Sequence, residues 1–423
     1  MKVSIKEIKF LYYLYKLRCL TLRQVHTFFY KQTGYYKEII TPLVLNKVIE
    51  LKNFNGEYVI LITQKGIDLF RMYLKIPVEI YNAETGKIER QVLKAKDIVI
   101  EDKYIRHQVS LNDFVLSFGT AVDNIEYYDE KFLSGMKIIR PDGLIKVGGV
   151  DLFLEQDMGT ESNSQLLDKW ARYMRFLNNS PENTRRIVVL FIVKCQKTEE
   201  RKALVRKSIL QTFGQINCAK FDFYIGTKDE LMKVCLNRII PGDGKKTRTL
   251  ISSMSKHGYK IYDGNKLKAK LNTVYKYYAL SSDKKGRPLS YAPNKKRTPR
   301  VQEFLFDDYE YAPVSVLNKI YFHFKNAHNF DIAYSPIANL RLIGYVVVVH
   351  DLDEMYKHLL EVGLIDTKNV YFTTYERLNS FKLPQALFVF KKNGDIYNCQ
   401  DFYFEPIRKE GNIKEYKKNG LKA

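Results

Sequence analysis

The chain has 423 residues, 45% of them hydrophobic and 13% aromatic, and carries 69 Lys and Arg against 47 Asp and Glu for a formal net charge of +22. That length implies roughly two to four domains with real cores, and no apolar run reaches the ~18 residues of a membrane-spanning helix. The five cysteines, Cys19, Cys195, Cys218, Cys235 and Cys399, form no C-x-x-C pair, which argues against a structural zinc site or a disulfide framework and for a reducing, cytoplasmic setting.

The opening "MKVSIKEIKFLYYLYKLRC" has Lys9 and Lys16 inside its apolar stretch and no small-residue cleavage site. It predicts an amphipathic helix over 4–18 rather than a signal peptide. "LTLRQVHTFFY" predicts a second helix capped by Thr21. A third falls within 34–46, with a kink or a late start at Pro42. "VIELKNFNGEYVILIT" predicts two strands turning at Asn55-Gly56, and "TQKGIDLFRMYL" a closing helix capped by Thr63. Helix–helix–helix–hairpin over 1–75 is the winged form of helix-turn-helix, whose second motif helix commonly enters the DNA major groove. Tyr35, Tyr36 and Lys37 are the candidates for base contact. The same module can also serve protein contacts.

A charged connector, 76–106, leads to a second, α/β domain ending near 240. Its elements are a helix over 106–122, a strand near 124–130 and the stretch "RPDGLIKVGGVDLFLEQDMGTES", residues 140–162, which packs five carboxylates into 23 residues. Gly148-Gly149 between apolar runs signals a two-residue hairpin loop. Val147 then pairs with Val150, and down the ladder Asp142 faces Glu155. Side chains alternate faces, so Ile145, Val147, Val150, Leu152 and Leu154 share one side, and Asp142, Glu155 and Asp157 the other. Like charges opposite each other destabilise a sheet unless a cation or basic groups lie between them. The alternatives are a divalent metal on hard oxygen ligands and a solvated face. Leu144 and Phe153, on the acidic side, argue that something covers it. Ser162 with Gln165 forms a capping-box signature before a helix with a Leu166, Trp170, Tyr173, Leu177 stripe. A buried strand at 186–194, a helix near 198–212, the strand "KFDFYIG" and a helix near 227–238 complete the unit.

Residues 241–300 hold 16 Lys and Arg against 3 Asp and Glu, a net +13 interleaved with six tyrosines. Lys and Arg neutralise phosphates while aromatic rings stack on unpaired bases. An anionic polymer partner, nucleic acid first, is therefore expected for the basic segment 241–310, with Lys245, Lys246, Arg248, Lys295, Lys296 and Arg297 as candidate contacts. A self-repelling linker is the alternative. Residues 311–423 predict a third α/β region: a helix, a strand–helix–strand unit and a hairpin at Asn393-Gly394. His323, His328, His350 and His358 are too widely spread there to suggest ligands, and the region's role is not legible.

Two carboxylates on adjacent antiparallel strands resemble the working set of PD-(D/E)xK nucleases, with Asp142 from "RPDG" and Glu155 from "LEQD". The position two after Glu155 carries Asp157 where that pattern has Lys. The winged-helix signature, then "RHQVSLNDF", "RPDGLI" and "FLEQDMGTES" with "KWARY" behind it, resembles the plasmid replication–relaxation family, which includes MobC-type relaxases related to restriction endonucleases. The resemblance spans roughly residues 1–215. It implies a winged helix followed by a restriction-endonuclease-like domain; with the basic segment and the carboxy-terminal α/β domain read from their own residues, the chain is expected to be an α/β multidomain protein. It also implies His107, Asn112 and Asp113 near the site, Asp142, Glu155 and Asp157 as catalytic and metal-binding acids for Mg²⁺ or Mn²⁺, and Thr160, Lys169 and Tyr173 around them. Lys169 stands for a catalytic Lys displaced onto the following helix. His107 is equally well explained as a cap or core histidine. The expected activity is metal-assisted nicking of a plasmid or element origin, with relaxosome or conjugation proteins as further partners. A non-catalytic origin-binding protein is the alternative.

Overall fold

The computed structural model describes residues 3–30, 35–74, 79–82, 85–90, 93–134, 138–179, 185–213, 221–242, 244–263, 277–281, 303–325, 344–400 and 403–406. The chain is mixed α/β and divides into two compact units, one of residues 1–161, 175–198 and 226–240, the other of 162–174, 199–225 and 241–423.

The first unit opens with α1 (Ile5–Leu17), β1 (Cys19–Thr21), α2 (Leu22–Phe28), α3 (Tyr35–Leu45), β2 (Ile49–Phe54), β3 (Glu57–Ile62) and α4 (Gln64–Leu74). The expected helices and hairpin are present, with β1 added to give a sheet of order β1-β3-β2. Thr21 caps α2 through a reciprocal capping box with Gln24, and Thr63 Oγ1 accepts the Gly66 amide at the start of α4. The turn places Asn55 at φ 50° and Gly56 at φ 84°, the doubly left-handed geometry that favours Asn-Gly. Helix α3 runs through Pro42.

A small sheet of order β5-β4-β7 follows, from β4 (Glu79–Asn82), β5 (Lys87–Arg90) and β7 (Leu133–Ser134). The long α5 (Asp102–Ala121) starts four residues before the expected 106, with Glu101 as its N-cap. It packs on the central sheet, where β6 (Glu126–Asp129), β8 (Gly143–Val147), β9 (Val150–Asp157) and β10 (Arg186–Val193) lie in the order β10-β9-β8-β6. β9 is antiparallel to β8 and parallel to β10. Buried on both faces, β10 is an unbroken apolar run.

Next in the chain come α6 (Asn163–Asn179), α7 (Thr198–Phe213), β11 (Phe221–Gly226) and α8 (Lys228–Val234). The capping box at Ser162 and Gln165 forms as expected, and Leu166, Trp170, Tyr173 and Leu177 are buried. In the second unit the Trp170 indole donates to Ser208 at 2.8 Å. Then follow α9 (Gly244–Lys256), β12 (Tyr259–Asp263), β13 (Tyr277–Ser281), β14 (Glu303–Asp308), α10 (Val314–Lys325), β15 (Gly344–Val348), α11 (Leu352–Val362), β16 (Val370–Thr373), α12 (Tyr375–Ser380), α13 (Leu383–Ala386), β17 (Phe388–Phe390), β18 (Ile396–Gln400) and β19 (Tyr403–Pro406). The strands β12 to β19 form one eight-stranded sheet in sequence order, with β14, β15 and β16 parallel. Apolar clusters around Leu317, Val347 and Phe372, and around Met254, Phe306 and Val346, form its core.

Candidate functional site

The acidic hairpin forms in the expected register. Gly148 and Gly149 turn at φ 51° and 103°, Val147 pairs with Val150, and the ladder runs to Gly143 opposite Leu154. Asp142 stands one residue beyond, level with Glu155. Its amide donates to Leu154 O at 3.1 Å, and its carbonyl accepts the Glu130 amide at 3.2 Å. A Cβ added at Gly143 would stand 3.0 Å from the Tyr127 ring, so a side chain there would need that ring to give way. Asp142 keeps its side chain partly open to solvent, while Glu155 and Asp157 are buried.

His107 reaches this corner from α5. Its Nε2 lies 2.9 Å from Gln156 O and 3.2 Å from Asp142 Oδ2. The same carboxylate oxygen accepts the Gln156 amide at 2.7 Å. Burial on its own would lower the imidazole pKa. The Asp142 carboxylate, the Gln156 carbonyl and the nearby Glu155 charge outweigh it and raise the value. Asp157 turns to its own backbone, where its Oδ1 accepts the Gly159 amide at 3.0 Å as the strand ends. Asp151, on the same side of the hairpin, is ion-paired with Arg185 at 2.5 Å.

Asp142 and Glu155 supply the hard oxygen donors that Mg²⁺ or Mn²⁺ takes, and Mg²⁺ commonly uses one or two carboxylates and retains several waters. With Asp157 they do not form a set of three whose donor atoms all lie within 4.8 Å. Among the described residues that convergence occurs once, at Asp308, Glu310 and His350 in the second unit. There His350 Nε2 lies 3.1 Å from Asp308 Oδ2, which also accepts the Tyr375 hydroxyl at 3.1 Å. Both strands that end there, β14 and β15, are parallel, so the cluster sits at their carboxyl ends, where open α/β sheets commonly bind ligands.

Residues 11–189 match the model of the replication-relaxation family. That span is less than half of the chain, and over it the chain is similar to the replication-relaxation family. The similarity points to a role in the replication or relaxation of a plasmid or other mobile element, and to interaction with DNA. No curated protein and no solved structure matches the chain.

The matched span runs from within α1 through α6 to the middle of β10, with His107, Asp142, Glu155 and Asp157 at one end of its central sheet. Asn112 and Asp113, expected beside them, turn instead to the amino-terminal helices. Asn112 donates to Leu17 O and Cys19 O at 3.0 and 2.7 Å, and Asp113 accepts both Arg23 and Gln24. Thr160 is exposed. Lys169, half-buried, and Tyr173, buried, lie on α6 in residues assigned to the second unit. Of the DNA-contact candidates, Tyr35, Tyr36 and Lys37 start α3, and Lys245 and Lys246 start α9, with side chains outside what is described. Arg248 is exposed on α9, and Lys295, Lys296 and Arg297 lie outside the described residues. No helix among the described residues is long and apolar enough to cross a membrane.

The convergence of His350 with Asp308 and Glu310 has no local sequence signal. The two acids are 42 and 40 residues away, so no local spacing announces them.

Proposed function

We propose that this protein nicks one DNA strand at the origin of a plasmid or integrative element. One juxtaposition carries the reading: Asp142 stands level with Glu155 at the end of a hairpin, held by His107, inside the replication-relaxation span. Asp142 and Glu155 would hold Mg²⁺ or Mn²⁺. Such an ion stabilises charge developing on the phosphate and lowers the pKa of a bound water. His107 holds the Asp142 carboxylate in place, and Lys169 is the candidate for supporting the nucleophile or the oxyanion. The amino-terminal module acts as a winged helix that reads the origin through α3, with Tyr35, Tyr36 and Lys37 toward the bases. The basic segment, with Lys245, Lys246, Arg248, Lys295, Lys296 and Arg297, holds the strand. The setting is cytoplasmic, with relaxosome or conjugation proteins as further partners.

Asp157 favours a second reading, a non-catalytic origin-binding protein. It stands where PD-(D/E)xK nucleases carry Lys, and its carboxylate serves the Gly159 turn. The deciding experiment incubates purified protein and supercoiled plasmid carrying its own origin, with and without Mn²⁺. Nicking is expected in the wild type and lost in Glu155→Gln, while duplex affinity holds or rises slightly because a phosphate-repelling charge is gone. Origin binding without cutting under any divalent metal establishes the second reading. His350→Gln is the control. If nicking depends on His350 and survives Glu155→Gln, the metal belongs to Asp308, Glu310 and His350 instead.

A further inference from the structure

Helix α5 makes two sets of contacts at once. Through His107 it reaches Gln156 and Asp142. Through Gln108, Val109, Asn112 and Asp113, which share a face at helical spacing, it grips the amino-terminal helices. Gln108 Nε2 donates to Asp129 Oδ2 at 2.9 Å and Asn112 Oδ1 at 3.1 Å. Asn112 Nδ2 donates to the carbonyls of Leu17 and Cys19, on either side of Arg18, the C-cap of α1. Gln24, on α2, donates to Val109 O and Asp113 Oδ1, both at 2.8 Å, and Arg23 Nη2 lies 3.0 Å from each Asp113 oxygen. Arg18 completes the set. Its backbone takes φ 67°, a costly conformation for a side chain of that size. Its guanidinium reaches Asp129 at 3.2 Å, Glu130 at 3.0 Å, and the carbonyls of Ile98 and Val99.

Arg18, Gln24, Gln108, Asn112 and Asp129 are all buried. An apolar contact tolerates a small slide, whereas a buried polar group that loses its partner bears the full desolvation penalty. The network therefore selects one orientation of α1 and α2 on α5, and α5 is fixed to the acidic hairpin by His107.

We infer that Gln108, Asn112 and Asp113 are positioning residues that set a fixed offset between the DNA site bound by the amino-terminal module and the bond presented to Asp142 and Glu155. The DNA consequence rests on the nicking reading above; the rigid coupling does not.

The test uses the full chain. Three residues inserted between Gln91 and Val92 lengthen the covalent path between the two parts and leave every residue of the network unsubstituted. The nick should stay at the wild-type nucleotide relative to the protected footprint. Asn112→Leu should spread it over neighbouring nucleotides, with duplex affinity retained. Asp113→Ala, milder and nearer the surface, covers the case in which Asn112→Leu does not fold. Hydrogen exchange reads the coupling without any cutting. In Asp113→Ala the amides of Cys19–Phe28 should exchange about tenfold faster, while those of Arg186–Val193 keep wild-type protection. A nick that moves with the insertion overturns the inference, as does unaltered exchange at Cys19–Phe28. If the wild type cuts nothing, the nicking reading falls and exchange alone decides the coupling.

Discussion

Gly159 and Gly148 both take left-handed backbone, at φ +78° and +51°, but their surroundings differ. A Cβ at Gly148 meets nothing within 4 Å, whereas one at Gly159 would stand 2.8 Å from Cys195 Cβ. Alanine at either position bears the left-handed cost of roughly 1–2 kcal/mol. Only Gly159→Ala adds overpacking, typically about 1–3 kcal/mol. Urea unfolding should therefore rank Gly159→Ala as the more destabilising; equal losses would mean that the Asp157–Cys195 corner relaxes freely. Histidines set opposite pH responses in the two units. His107 has a raised pKa, so the folded chain holds its proton more tightly than the unfolded one. Its contribution is complete below the unfolded value of about 6.5 and fades as pH rises through the folded value. His323 and His358 run the other way, since burial lowers both to about 3. Their neutral forms support the fold fully above pH ~6.5, and that support is lost as pH falls toward 3. Acidification should therefore lower the melting temperature of the second unit. His323→Phe, which keeps an aromatic ring stacked beside Tyr345, should flatten that fall. An unchanged pH profile in this variant would show that other groups drive the loss.

The elements that were legible are those with local signals. Asn55-Gly56 and Gly148-Gly149 announce two-residue turns, and the Gly-Gly turn alone fixes which residues of β8 and β9 share a face with the acids. Ser162 and Gln165 announce the start of α6 by a capping box. Ser162→Ala should cost about 1 kcal/mol, read as a shift in the urea midpoint without a change in slope; no shift would mean that the helix start is held by packing alone. The elements that were missed depend on distant partners. Strand β1 is three residues long, too short to display a period, and exists because Leu61, Ile60 and Val59 pair with it. Strand β14 lies at the end of the basic stretch, where charge dominates any window, and its parallel partner β15 begins at Gly344. For the same reason "RHQVSLND" looks like one site motif. Nothing local tells that His107 faces the hairpin while Asn112 meets a carbonyl 95 residues earlier in the chain.

At the scale of the whole molecule, the described part of the basic stretch is folded. Of the 241–300 stretch, residues 244–263 and 277–281 form α9, β12 and β13 of the eight-stranded sheet. Within that part Arg248, Lys256 and Lys260 are exposed. Removing 1–75 to test origin recognition would strip Leu17, Arg18 and Cys19 from Gln108, Asn112 and Asp129, leaving buried polar groups without partners. That truncation should unfold the first unit. Recognition is better tested by substituting Tyr35, Tyr36 and Lys37, which should reduce preference for the native origin over random duplex and leave general affinity in place. General affinity should come from the net +13 of residues 241–300. Each phosphate neutralised releases counterions and contributes about −0.9 to the slope of log K against log salt on duplex DNA, or about −0.7 on a single strand. Neutralising Arg248, Lys295, Lys296 and Arg297 to Gln together should flatten the slope by up to roughly 3 on single-stranded DNA and slightly more on duplex, if all four meet phosphate. Arg248 alone tests the folded part, since it sits on α9. A slope that does not move in the fourfold variant would separate the charge from DNA binding altogether. A slope that moves only on single-stranded DNA would place the basic segment on an unpaired strand rather than on duplex.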